Sequence, residues 1–307
     1  MKTIESWQLR QRQKLPLKIK EKITKQRIIS WYDYWNGYVY VGFSGGKDST
    51  VLLHTVRKIY PNVPAVFVDT GLEYPEIRAF VKTFDNVTWI KPKYPYRKVI
   101  EKYGYPILSK ENSQKIWEIR NTKSEKLRNK RLYGDRKGYG RLPKKWISLL
   151  DSDIKISHKC CDMMKKNPVK RYETKTKNKA VLGLMAKDNA MRRSSYLRFG
   201  CNSYSNKRGQ HPTSSPIAFW LEEDVWGYIH KYKISYSKIY DMGYNRTGCM
   251  FCMFGVHLEK GENRFQIMKR THPKHWDYCI NKLGCGKVMD LIKVNYGQKE
   301  DKQMYLF

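Results

Sequence analysis

Two groups of residues in this 307-residue chain have the types and spacing to do chemistry: the run Ser44-Gly-Gly-Lys-Asp-Ser-Thr50 and the cysteines Cys160, Cys161, Cys249 and Cys252. In the run, Gly45 and Gly46 let the backbone turn tightly and approach an anion closely. Amides in such a turn, at a helix N-terminus, point at phosphate oxygens, and the helix dipole favours the negative charge. Ser44, Ser49 and Thr50 offer hydroxyls, Lys47 can neutralise phosphate charge, and Asp48 can hold Mg²⁺ or orient the loop. The spacing is not the G-x-x-x-x-G-K-[ST] of common nucleoside triphosphatases. A second stretch, Val68-Asp-Thr-Gly-Leu-Glu-Tyr-Pro75, places Asp69, Thr70 and Gly71 at the carboxyl end of an apolar run, where doubly wound sheets contact nucleotides.

The cysteines are seven, an odd number, which argues against a disulfide framework. Cys160 and Cys161 are adjacent, Cys249 and Cys252 form a C-x-x-C, and Cys201, Cys279 and Cys285 stand apart. Four thiolates suit either Zn²⁺ or a [4Fe–4S] cluster. An adjacent pair is awkward for one zinc ion, because successive side chains diverge.

The elements that must position these groups follow from periodicity. Tyr38 to Phe43, Ala65 to Val68, Val87 to Ile90 and Ala180 to Met185 read as strands. Lys47 to Tyr60, Tyr74 to Phe84 and Glu222 to Tyr232 read as helices, the first stopped by Pro61. Strands alternating with helices predict a doubly wound parallel α/β sheet. The predicted organisation is a basic N-terminal arm over 1–36 interrupted by Pro16, an α/β domain over 37–235 with a basic insertion at about 109–158, and a cysteine-bearing C-terminal segment over 236–307. Residues 200–216 are expected as a loop.

Taken together, these motifs resemble the PAPS reductase-like branch of the PP-loop ATP pyrophosphatases, of the iron-sulfur type. The S-G-G-x-D-S loop and the Asp-Thr-Gly with its following aromatic-Pro are two of the shared features. Cys160-Cys161-x-x-x-Lys165-Lys166-x-Pro168 resembles the family's C-C-x-x-x-K-x-x-P segment. Ser215-Pro-Ile-x-x-Trp220-x-x-x-Asp224-Val-Trp-x-Tyr-Ile229, Tyr240-Asp-x-Gly-Tyr244 and Gly248-Cys-x-x-Cys252 follow in family order. The resemblance implies an adenine nucleotide alpha hydrolase-like fold and cleavage of Mg²⁺-bound ATP between its α- and β-phosphates. It also implies Cys160, Cys161, Cys249 and Cys252 as ligands of one [4Fe–4S] cluster. Lys159, Lys165 and Lys166 would then offset the cluster's negative charge.

Two departures bear on the reaction. The family's G-x-R-x-x-E-S-x-x-R substrate motif stands here as Gly183-Leu-Met185-Ala-Lys-Asp188-Asn189-x-x-Arg192, with Met185 in place of an arginine suited to clamp an anionic group. The reductases' C-terminal Glu-Cys-Gly-(Leu/Ile)-His has only Gly284-Cys285-Gly286-Lys287 as its counterpart. The formal net charge of +33 favours a polyanionic partner, DNA or tRNA, over one small nucleotide. The charge is concentrated: residues 1–30 carry nine basic and two acidic side chains, and residues 111–180 carry 21 and eight.

The expectation is therefore an ATP-dependent iron-sulfur enzyme that adenylates and sulfur-modifies a nucleic acid, with a sulfur-donor or reductant protein as a further partner. One rival is a sulfonucleotide (PAPS/APS) reductase using Cys285. The other is a non-enzymatic iron-sulfur nucleic-acid-binding protein. No apolar run reaches the ~18 residues a membrane helix needs, and the N-terminus lacks a signal-peptide pattern, so a cytoplasmic protein is expected. Tyr133 and Tyr139 lie in a basic loop suited either to stacking on bases or to plain solvation. His257, His272 and His275 are expected to be packing or surface residues.

Overall fold

A computed structural model describes residues 3–204 and 211–297. Residues 1–2 of the expected arm, 205–210 of the expected loop and 298–307 of the C-terminal segment lie outside the described residues. The element order is α1 (Ser6–Gln13), α2 (Leu17–Tyr34), β1 (Val39–Gly42), α3 (Lys47–Arg57), β2 (Ala65–Val68), α4 (Pro75–Lys82), β3 (Val87–Ile90), α5 (Tyr96–Tyr103), α6 (Lys110–Asn121), α7 (Glu125–Tyr133), α8 (Asn167–Thr176), β4 (Lys179–Leu182), α9 (Ala190–Phe199), β5 (Asn202–Ser203), β6 (Thr213–Ser214), α10 (Glu222–Tyr232), α11 (Arg264–Thr271), α12 (Pro273–Asp277) and α13 (Cys285–Leu291). A 3₁₀ helix spans Lys144–Asp151 and a π-helical turn spans Asp162–Lys166. These elements form two compact units. The first comprises residues 1–69, 73–91 and 168–241; the second comprises 70–72, 92–167 and 242–307.

The first unit is built on a six-stranded sheet of order β3-β2-β1-β4-β6-β5. Every neighbouring pair is parallel except β5–β6. Val39, Tyr40 and Val41 of β1 are all buried, as a central parallel strand covered on both faces requires. The chain runs outward from β1 to β3, then returns to place β4 on the other side of β1. The strand order therefore reverses beside β1, where such sheets open a crevice at their carboxyl ends. The doubly wound α/β class expected from the sequence is the one observed, with a single antiparallel edge strand.

Pro16 separates α1 from α2, as its missing N–H and fixed φ require. Leu9, Ile28 and Trp31 of these helices are buried in the first unit. So is one of the basic residues. Lys20 is 2% exposed and pairs with Asp224 at 2.5 Å. Asp224 also accepts the Leu221 N–H at 2.7 Å, capping α10. Thr24 accepts from the Trp220 indole at 3.0 Å. Removing one partner of a buried ion pair strands the other, so Asp224→Asn should lower unfolding stability by about 3 kcal/mol. A fall in the urea midpoint, largely restored in Lys20→Met/Asp224→Leu, is the expected readout.

The second unit holds α5–α7 and α11–α13. Tyr105 pairs with Ile156 and its hydroxyl donates to the Leu283 carbonyl at 2.7 Å. Arg120 donates to the carbonyls of Leu149, Leu150, Ser152 and Ile154. Part of the basic charge at 109–158 therefore holds local backbone rather than facing a partner.

Candidate functional site

In the first unit, the loop after β1 adopts the tight turn its glycines predict. Gly45 has φ +72, and an added Cβ would lie 2.8 Å from Val81 Cγ2 and 2.9 Å from Ile77 Cγ2. Gly46 is the N-cap of α3. Its carbonyl accepts hydroxyl hydrogens from Ser49 at 2.9 Å and Thr50 at 3.0 Å, so both side chains fix the loop's shape. The Ser44 N–H donates to Ser49 Oγ at 3.2 Å. From the far side, Gly183 at the end of β4 brings its backbone against Asp48, where a Cβ would meet the Asp48 carbonyl at 3.0 Å. The loop thus sits where the strand order reverses. Gly45→Ala combines a left-handed backbone with a clash on α4, and should weaken ATP binding about tenfold or more, a loss of ~1.4 kcal/mol. Calorimetric titration with ATP, run at a temperature where the variant's melting profile shows it folded, checks this.

Lys47 is buried at the first turn of α3. Its N–H donates to the Tyr240 hydroxyl at 2.8 Å, and its ammonium lies 3.1 Å from Glu222, 5.2 Å from the Tyr240 ring centre and 6.0 Å from that of Trp226. Trp226 therefore also faces this lysine. Asp48 is held above the usual carboxylate range, first by burial; Asp188 and Glu222 push the same way, while Lys47 and Arg192 oppose. Asp48 Oδ1 is buried without a hydrogen-bond partner. An orphaned carboxylate oxygen with two further carboxylates close enough to act on it fits a hard cation, which typically takes one or two carboxylates and completes its shell with phosphates and water. The family-like motifs contain Tyr240 and Asp188 without marking them as site residues, and nothing in the local pattern distinguishes Glu222 from an exposed helix-start acid.

The Asp69 carboxylate, buried at the end of β2, pairs with Arg78 of α4 at 3.0 Å. Thr70 and Gly71 follow in the second unit. There Thr70 Oγ1 accepts the Leu72 N–H at 3.2 Å, Gly71 takes φ +75, and the Leu72 carbonyl accepts the Met250 N–H at 2.7 Å. Within the second unit, Leu72 is thus tied to the C-x-x-C turn, which closes with Cys252 N–H on the Cys249 carbonyl at 3.1 Å.

In the second unit the four cysteines expected as ligands influence one another. Burial raises the Cys160 thiol, and Cys249, Cys161 and Cys252 each raise it further. Burial and then Cys249 raise Cys161. Cys252 is pushed up to about 11 by burial and by Cys249 and Cys161, with Arg264 opposing. The two segments, 88 residues apart between Cys161 and Cys249, therefore fold back onto one another. Among the described residues, no three His, Cys, Asp or Glu side chains converge tightly enough for a single metal ion. Cys160 and Cys161 occupy consecutive helical positions just before the π-helical turn, so their side chains diverge by about 100°. Four thiols that act on one another electrostatically are a donor set that either a zinc ion or an iron-sulfur cluster could use.

Of the lysines expected to offset cluster charge, Lys165 lowers both Cys160 and Cys161. Lys159 instead lies 3.9 Å over the Trp117 ring, and Lys166 pairs with Asp162 at 2.9 Å. Cys279 and Cys285 are both buried; their thiols are hydrogen-bonded to each other, which with burial raises Cys279. The buried Tyr96 phenol is raised by burial, then by Cys285, Cys160, Cys279 and Cys252, so it stands among both groups of thiols. Cys201 is buried in the first unit beside the Pro216 carbonyl. His257 packs on Trp146, and His272 pairs with Thr271.

Residues 38–254 match the family described as phosphoadenosine phosphosulfate reductase domain. An adenosine 5'-phosphosulfate reductase of Anoxybacillus flavithermus is 23% identical over 261 residues, covering 85% of this chain and 92% of the relative. An uncharacterized Methanocaldococcus jannaschii protein is 28% identical over 248 residues, covering 80% of this chain but 41% of its own length. Among solved structures, the Candida auris phosphoadenylyl-sulfate reductase aligns with a TM-score of 0.44 at 16% identity, covering 80% of this chain and 96% of that one. No described helix is long and apolar enough to cross a membrane.

Proposed function

Because the chain belongs to the phosphoadenosine phosphosulfate reductase domain family, we propose that it uses the family fold as an ATP pyrophosphatase that adenylates a nucleic acid and exchanges the activated oxygen for sulfur. One observation supports this most: the loop after β1 keeps a tight turn capping α3, suited to phosphate, while the positions at which sulfonucleotide reduction would act are core residues. Met185, at the place of the family's arginine, is 4% exposed, and Cys285 is 0% exposed. Asp188 and Arg192 from the same motif pair with each other.

In this reading, an oxygen of the substrate base attacks the α-phosphorus of ATP. The bond from that phosphorus to the β-bridging oxygen breaks, and pyrophosphate leaves with its electron pair. The loop amides and the α3 N-terminus bind the phosphates, and Lys47 neutralises charge on the departing group. The Glu222 carboxylate must give way to the more highly charged phosphate. Asp48 contributes an oxygen to Mg²⁺. Sulfide then adds at the activated carbon and AMP departs. Cys160, Cys161, Cys249 and Cys252 would hold a [4Fe–4S] cluster, which would supply an iron for sulfide only where one of these four thiolates gives up its place.

The experiment is anaerobic incubation with ATP, Mg²⁺, sulfide and bulk RNA or DNA, followed by digestion and mass spectrometry of the nucleosides. A thionucleoside that requires ATP is the expected product. The second reading, a sulfonucleotide reductase, is favoured by the Anoxybacillus relative. Sulfite release from APS or PAPS, lost in Cys285→Ser, with no thionucleoside, would establish it instead.

A further inference from the structure

We propose that the loop between Tyr133 and Tyr139 in the second unit is a stacking platform for unpaired bases in an RNA loop. The inference rests on the nucleic-acid reading above and goes further by naming the contact surface and the form of nucleic acid it takes.

Tyr133 and Tyr139 are 73% and 69% exposed, the most exposed aromatic side chains among the described residues. Both rings stand in solvent at the two ends of one loop, each with an aromatic face open to a partner. The loop between them is fixed. Asp135 Oδ1 accepts the backbone N–H of Lys137 and of Tyr139, both at 2.9 Å. The Gly138 N–H donates to the Asp135 carbonyl at 2.7 Å, and the Asp135 N–H donates to the Tyr139 carbonyl at 2.9 Å. Gly134, at φ +92, passes so close to Gly138 that an added Cβ would lie 2.7 Å from its carbonyl carbon. Both stems close onto α7, through Gly134 N–H to the Lys130 carbonyl and Leu142 N–H to the Arg131 carbonyl. A loop held this way presents its rings with little ordering left to lose on binding.

The surrounding charge selects the partner. Between Lys123 and Lys145 there are ten basic and two acidic residues. One of the two acids, Asp135, faces the loop's own amides. Such a field complements a phosphate backbone and disfavours a basic or neutral protein partner. Exposed rings beside it need flat faces to cover. In a duplex each base face is covered by its neighbours, whereas looped-out RNA bases are free to stack on aromatic side chains.

Helix α6 joins this platform to the cysteine pair within the same unit. Its Glu118 pairs with Arg131 of α7 at 2.5 Å. Its Lys110 pairs with Asp162, next to Cys161, at 3.0 Å, and its Trp117 lies under Lys159, next to Cys160. Lys110 to Glu118 covers about 12 Å of helix. RNA seated on the tyrosines is thus held on a rigid brace shared with the thiol-bearing turn.

The test is fluorescence anisotropy of full-length protein with a labelled RNA hairpin, the same RNA with its loop paired to a complement, and single-stranded DNA of the loop sequence. Tyr133→Ala/Tyr139→Ala should bind the hairpin at least about tenfold more weakly, and the paired RNA within about twofold of wild type. Tyr133→Phe/Tyr139→Phe should bind the hairpin like wild type. Melting and iron content, unchanged in the variants, exclude misfolding. Wild-type hairpin affinity in the alanine variant, or an equal loss on paired RNA, would overturn the platform, even if the wild type still binds and thiolates RNA. Tighter binding of single-stranded DNA than of the hairpin would overturn the RNA assignment. Failure of the wild type to bind any nucleic acid at low salt would overturn both this inference and the reading beneath it.

Discussion

Lys47→Ala should reduce ATP cleavage about 10²–10³-fold, the usual loss when one preorganised charge at a phosphoryl-transfer site is removed. The lysine is buried at the N-terminus of α3, where its ammonium shares space with Glu222 and the Tyr240 and Trp226 rings. Truncation removes the cation but leaves the loop's internal hydrogen bonds, because those run through Ser44, Ser49, Thr50 and the Gly46 carbonyl. The fold should therefore survive, and kcat should fall further than ATP affinity. Glu222→Gln is the informative companion. It removes the carboxylate that competes with phosphate for the same ammonium, so ATP should bind at least as tightly as in wild type. Initial rates of pyrophosphate release across an ATP titration separate the two effects.

The second large effect concerns the thiols. Cys252→Ser or Cys161→Ser should abolish stoichiometric iron and acid-labile sulfide, while Cys201→Ser, in the other unit, should leave both at wild-type levels. Cluster binding requires thiolates, yet burial and neighbouring thiols hold Cys160, Cys161 and Cys252 protonated near neutrality. Their pKa values are raised, so the unliganded thiols lose protons only as pH increases. Reconstitution of stripped protein should therefore release protons and strengthen as the pH is raised. Iron and sulfide analysis with proton-release measurements at two pH values reads this directly. Stoichiometric zinc without iron would refute the cluster.

Much of this arrangement was legible in the chain itself. The strands around Val41, Val66 and Val181 declare themselves as short β-branched runs, and parallel pairing follows from the helices between them. The loop at Gly45 was readable because few residues other than glycine tolerate its backbone. The ligand set was readable only as spacing, since nothing local brings Cys161 and Cys249 together. That proximity comes from packing in the second unit, including the Met250 tie to Leu72. Lys20 shows where composition misleads. It counts towards the basic charge of the first 30 residues, yet it lies buried against Asp224. Arg120 likewise serves four nearby carbonyls, so the net charge of +33 overstates what is offered to a partner. Cys285 illustrates the reverse: its spacing offers it as a candidate nucleophile, and only the fold shows it buried beside Cys279.

The most direct test of the account is the fate of ATP labelled at the α-phosphate, followed anaerobically in a single turnover with and without RNA. Labelled AMP, equimolar with pyrophosphate, accelerated by RNA and absent in Lys47→Ala, is the predicted result. Labelled ADP, or AMP formation indifferent to any nucleic acid, would contradict it.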